Sequence, residues 1–139
     1  MRIPKQAGFR GWWLVLLSLV VVGCSTLPTY KDDFTKINDD FMNRMRWHDI
    51  TGASQSFAPK QQEAFLDRFE AWDDLKITSF TAVRSSGDAE IGLEVKKVHY
   101  LLEYHALPSL SIKQKRFVLR WEKEGEKGAW QIVEPFPEL

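Results

Sequence analysis

Hydrophobic periodicity changes once along this chain, at Leu75, and that change limits the fold more than any other feature. Before it, apolar residues recur at helical spacing; after it, they alternate with period two. Phe34, Ile37, Phe41, Met45 and His48 follow at intervals of 3, 4, 4 and 3, one face of an amphipathic helix predicted over residues 31–49. Thr29 and Asp32 form a capping pair at its start, and Thr51-Gly52-Ala53 ends it. Pro59 suits the first turn of a second helix, with Phe65, Leu66, Phe69 and Trp72 as its buried stripe. Asp73-Asp74 would oppose the helix dipole, which places the C-terminus near Trp72.

The remainder reads as strands. Residues 77–83 are β-branched and alternating, and Ser85-Ser86-Gly87-Asp88 predicts a turn. Ile91, Leu93 and Val95 alternate next, but across Lys96-Lys97 the apolar phase shifts to Val98, Tyr100, Leu102 and Tyr104. Side chains alternate strictly along a strand, so the shift predicts a β-bulge or a break there. His105-Ala106-Leu107-Pro108 ends that strand. Residues 111–123 form a third, with Phe117, Leu119 and Trp121 on one face and Arg116, Val118 and Arg120 on the other. Residues 124–128 are a hairpin loop and 129–133 the last strand. The predicted class is α+β: two N-terminal helices packed on an antiparallel sheet of about four strands.

The N-terminus constrains location. Arg2, Lys5 and Arg10 precede an apolar stretch over residues 11–22, and Gly23 supplies a small residue before Cys24, the sole cysteine. These 12 residues fall short of a transmembrane helix, which needs about 20. An ordinary secretory cleavage site is disfavoured by the bulky Val21 at position −3 from Cys24. The segment Val21-Val22-Gly23-Cys24 resembles the lipobox of bacterial lipoproteins. The resemblance implies a signal peptide over residues 1–23, recognised through Val21, Val22 and Gly23. It also implies lipidation (palmitate and related acyl chains) of Cys24, and a tether over residues 24–30. One acyl chain binds membranes marginally, at about 0.8 kcal/mol per buried CH₂, whereas two or three anchor permanently. Ser25 follows the cysteine; by resemblance to enteric lipoproteins, the absence of Asp there favours the outer membrane. The expected location is the cell envelope, on the periplasmic side. A tether of this length spans on the order of 20 Å at most, so the domain sits near the bilayer.

Cleavage before Cys24 would leave 116 residues, one domain over 31–139, with 16 basic against 19 acidic residues and a net charge of −3. That balance argues against nucleic acid as a partner. With Cys24 lipidated, no disulfide forms and the core depends on packing.

The helix ending near Trp47-His48-Asp49, the lead Asp74-Leu75-Lys76-Ile77-Thr78, Arg120-Trp121 late in a long strand, and Ala129-Trp130-Gln131-Ile132 in the last one carry a second resemblance. Together they resemble the nuclear-transport-factor-2-like (cystatin-like cone) superfamily, over most of residues 30–137, and small lipoproteins of that superfamily in particular. The resemblance implies a curved, cone-like sheet that can enclose a pocket. Enzymes of this fold, such as those resembling ketosteroid isomerase or scytalone dehydratase, place Asp, His or Tyr inside it. Here no residues match their catalytic motifs. His48 and Asp49 form the best local pair, but adjacent helix residues diverge by about 100°. His99 is expected to face water, and His105 borders a Pro-containing loop. No His or Cys spacing suits a metal, and no cofactor is expected. Tyr100, Trp121 and Trp130 either wall an apolar pocket or are core residues. Met42, Met45 and Trp47 read as a buried helix face.

The expected function is a non-enzymatic binding or scaffolding module anchored in the envelope. Its expected partners are the membrane, an envelope protein and a second copy meeting the Arg116/Val118/Arg120 face. The alternatives are a binder of a small apolar ligand in the cone and, behind it, an isomerase or dehydratase.

Overall fold

The computed structural model describes residues 33–139 of the 139-residue chain. The signal peptide, Val21, Val22, Gly23, the lipidation site Cys24, the tether and the capping pair Thr29 and Asp32 lie outside the described residues. The described residues fall within one compact unit, Lys31–Leu139.

Helix α1, Asp33–Arg46, buries Phe34, Asn38, Phe41 and Met45 along one stripe. It is shorter than its periodicity predicts. At His48 the backbone turns to a φ of 60°, incompatible with a continuing right-handed helix. His48 is therefore exposed rather than on the buried face, and Trp47 is 84% exposed. A short helix α2, Ile50–Ser54, replaces the predicted helix end, giving three helices among the described residues instead of two. Asp49 caps it by accepting from the Gly52 amide at 2.9 Å. A Cβ on Gly52 would lie 2.1 Å from both the Arg44 and Asp49 side-chain ends, so a larger residue there would displace the Arg44–Asp49 pair. Helix α3, Pro59–Glu70, buries Phe65 and Phe69 and ends two residues before Trp72. Leu66 is 36% exposed, outside the predicted stripe, whereas Trp72 packs its ring on Phe69 after the helix has ended.

Four antiparallel strands follow in the order β1-β2-β3-β4: Leu75–Glu90, Leu93–Ala106, Lys113–Glu124 and Gln131–Ile132. Ser85-Ser86-Gly87-Asp88 is not a turn. These residues continue β1 and pair with residues 95–98. The chain reverses at Ile91-Gly92, where Gly92 takes a φ of 74°, a conformation that glycine adopts without steric cost. The predicted irregularity in β2 lies in its neighbour. The β1 register shifts between Ile77 and Ser79 and again between Ala82 and Arg84, while β2 pairs with β3 without interruption. Thr78 and Val83 are thus the bulged residues, and the bend that bulges impose curves the sheet.

The phase change at Lys96 has another cause. Lys96, Val98, Tyr100, Leu102 and Tyr104 alternate onto one inner face. At Lys96 an amphipathic side chain occupies a core-facing place, its ammonium 4.6 Å from the Phe34 ring centre and 5.7 Å from that of Trp130. The last strand is two residues long, and on the side away from β3 its backbone meets residues 56–58: Ile132 N–H donates to Ser56 O at 2.7 Å, and Ala58 N–H donates to Ile132 O at 2.9 Å. Helices cover the inner face, where Phe41 meets Phe80, Tyr100 and Trp121 edge-on. The C-terminal tail closes one side, with Phe136 against Phe65, Phe69 and Phe117 and its carbonyl accepting from Arg68.

Candidate functional site

A site inside the cone would have to be built from the inner faces of β2 and β3 and the buried stripe of α1. Those positions are filled. Tyr100, Trp121 and Trp130 are 1%, 0% and 6% exposed, all within the one aromatic cluster. Phe34 packs edge-on against both tryptophans, at 5.6 Å and 4.9 Å between ring centres. Phe80 stacks on Tyr100 at 5.0 Å.

The polar atoms in this cluster satisfy one another. The Tyr100 hydroxyl donates to Asn38 Oδ1 and accepts from Trp121 Nε1, the latter at 3.0 Å. Burial raises the Tyr100 phenol well above its ordinary ionisation range, and the hydrogen bond from Trp121 lowers it by less. The phenol therefore stays neutral near pH 7 and is unsuited to a general base, which works best with a pKa near ambient pH. Asn38 escaped the sequence reading. Its place four residues after Phe34 and three before Phe41 put it on the apolar stripe, where a polar side chain needs a partner.

The remaining candidates lie on the surface. His48 and Asp49 edge a depression of about 360 Å³ with Leu66 and Glu70. Both Asp49 oxygens are engaged, Oδ1 by Gly52 N–H and Oδ2 by Arg44 Nη1 at 3.0 Å. Arg44 in turn donates to Asp40 at 2.7 Å. This corner is a helix junction held by charge pairs rather than an oriented His–Asp couple. His99 is exposed on the outer face of the sheet beside Arg84, Arg116 and Val118, around a groove of about 300 Å³. His105 is half-buried on the last residues of β2. Among the described residues, no group of three or more His, Cys, Asp or Glu is placed to hold a metal ion. No helix among them is long and apolar enough to cross a membrane.

No family model and no curated protein matches the chain. Solved structures similar to it include an NTF2-like protein of unknown function in nutrient uptake from Rhodospirillum rubrum. That protein is 17% identical, with a TM-score of 0.56 over 73% of this chain and 93% of its own. Aln2 from a Streptomyces species is 10% identical, with a TM-score of 0.53 over 94% of this chain and 89% of its own. The intermembrane space region of the chloroplast protein ARC6 is 16% identical, with a TM-score of 0.50 over 76% of this chain and 95% of that region. At these identities the likeness is one of fold: a curved α+β cone of the NTF2-like kind.

Proposed function

We propose that this chain is an envelope lipoprotein whose cone acts by binding or scaffolding at its surfaces rather than by catalysis inside. The packing of the cone carries the reading. Tyr100, 1% exposed, is held neutral and hydrogen-bonded to Asn38 and Trp121, among rings that occupy the space a substrate would need. The lipobox-like Val21-Val22-Gly23-Cys24 supports the membrane anchor, and the short tether keeps the domain near the bilayer.

Two experiments test the two halves of the proposal. In cells supplied with labelled palmitate, the chain is expected to take up label, and Cys24→Ala to abolish it and release the protein from membranes. Retained label in the variant would exclude lipid attachment at that cysteine. Native mass spectrometry of the chain extracted from membranes is expected to give masses of the lipidated protein and its oligomers alone. An additional small apolar molecule released on denaturation would favour the ligand-binding alternative, and its identity would name the class of ligand.

A further inference from the structure

β1 is an edge strand, and from Thr81 to its end at Glu90 every residue is exposed. Among the described residues no strand pairs with its outer side. Alternate residues there turn N–H and C=O groups away from β2, a template for another strand. Edges are commonly blunted by charged residues, proline, bulges or shortness; after Lys76, β1 contains neither Lys nor Pro, and its bulges at Thr78 and Val83 lie outside residues 84–90. Its usable part is bounded on both sides, by the bulge at Val83 and by the turn at Ile91-Gly92.

Within those limits the sequence is complementary to itself when reversed. An antiparallel copy centred on Gly87 sets Arg84 opposite Glu90, Ser85 opposite Ala89, and Ser86 opposite Asp88, each pair occurring twice by symmetry. The flanking Val83 and Ile91, 66% and 107% exposed, come abreast of each other. Arg84, Ser86, Asp88 and Glu90 lie on the outer face of the sheet. Ser85, Gly87 and Ala89 lie on the inner face, small and uncovered by helices. Opposite charges directly across an antiparallel pair stabilise it, whereas a parallel in-register pairing would place like charge on like. A register centred on Ser86 would set Arg84 opposite Asp88 but leave Glu90 opposite Ala82 and Ile91 opposite Thr81, losing the apolar Val83–Ile91 match. Glu90 already lies 3.6 Å from Arg120 within its own protomer, and that exposed contact leaves it open to a second guanidinium.

We propose that β1 is a self-recognition edge: two copies pair antiparallel across Gly87 to form one continuous eight-stranded sheet. This places self-association at the edge rather than on the Arg116/Val118/Arg120 face. On that face Arg120 is already paired with Glu122 at 2.6 Å and Glu90 at 3.6 Å, whereas the β1 edge leaves a row of backbone groups without a neighbouring strand among the described residues. The proposal does not depend on the lipid anchor.

The test is a cysteine at the symmetry point. A Cβ on Gly87 meets nothing nearer than 3.9 Å, so Gly87→Cys is tolerated by the protomer. Facing Cα atoms in an antiparallel pair are roughly 4.5–5.5 Å apart, within the roughly 4.4–6.8 Å that a disulfide spans. With the full chain in intact cells under mild oxidation, wherever it is located, Gly87→Cys is expected to give a disulfide dimer. Ile112→Cys, 62% exposed in the β2–β3 connection, and the unaltered chain are the controls and are expected not to. Adding Arg84→Glu is expected to lower the yield about tenfold, and adding Glu90→Arg as well to restore it; Val118→Asp is expected to leave it unchanged. A Gly87→Cys yield no higher than the controls, or a yield indifferent to charge reversal, would overturn the proposal, as would loss of the dimer in Val118→Asp.

Discussion

Trp121→Ala is expected to cost more stability than any surface change in this chain, lowering the midpoint of thermal unfolding by roughly 15–30 °C. The side chain is fully buried, touches Phe34 at 5.6 Å and Phe41 at 5.7 Å between ring centres, and donates its indole N–H to Tyr100. Truncation removes the packing on both rings and leaves a cavity, a loss of about 3–5 kcal/mol for a large aromatic. That is a large share of the roughly 5–15 kcal/mol holding a typical domain. Trp121→Phe separates the contributions. It keeps most of the ring contact and removes the N–H donor, so it is expected to cost less than half as much. Equal losses in calorimetry would mean that the hydrogen bond to Tyr100, rather than ring packing, dominates at this position.

The particular residues show where sequence and fold part company. Phe34, Phe41 and Met45 announce α1 because helical spacing is a local property, and Phe117, Leu119 and Trp121 announce the inner face of β3 for the same reason. Ser85-Ser86-Gly87-Asp88 misleads because small polar residues favour turns locally, while fourteen pairings between β1 and β2 decide otherwise. Lys96 misleads in the opposite direction. Its charge marks it as outward-facing, yet a long side chain can lie across Phe34 and Trp130 on the inner face. Both features depend on partners distant in sequence, which periodicity does not register. Within the candidate site, Tyr100 and Trp121 stand out as aromatic residues on alternating strands. Their bond to Asn38, 62 residues from Tyr100, exists only once α1 lies across the sheet.

That bond makes Tyr100→Phe the sharper probe of the interior. The substitution preserves the ring and its stacking on Phe80 but deprives Asn38 Oδ1 and Trp121 Nε1 of the hydroxyl between them. Buried groups left unsatisfied cost about 1–3 kcal/mol, expected as a lower urea midpoint near neutral pH. Alkaline pH then gives an independent readout. In the unfolded chain the phenol ionises near about pH 10; in the folded chain burial holds it higher. The stability contributed by a neutral, buried Tyr100 is therefore complete below about pH 10 and is lost as pH rises from there through the folded value. The variant has no such group. The gap between wild type and Tyr100→Phe is expected to be constant from pH 7 to about 9 and to narrow above about 10, by up to about 1.4 kcal/mol per pH unit. A gap that stays constant across the alkaline range would mean that water reaches the phenol, and the cone would then contain the accessible polar site that its packing argues against.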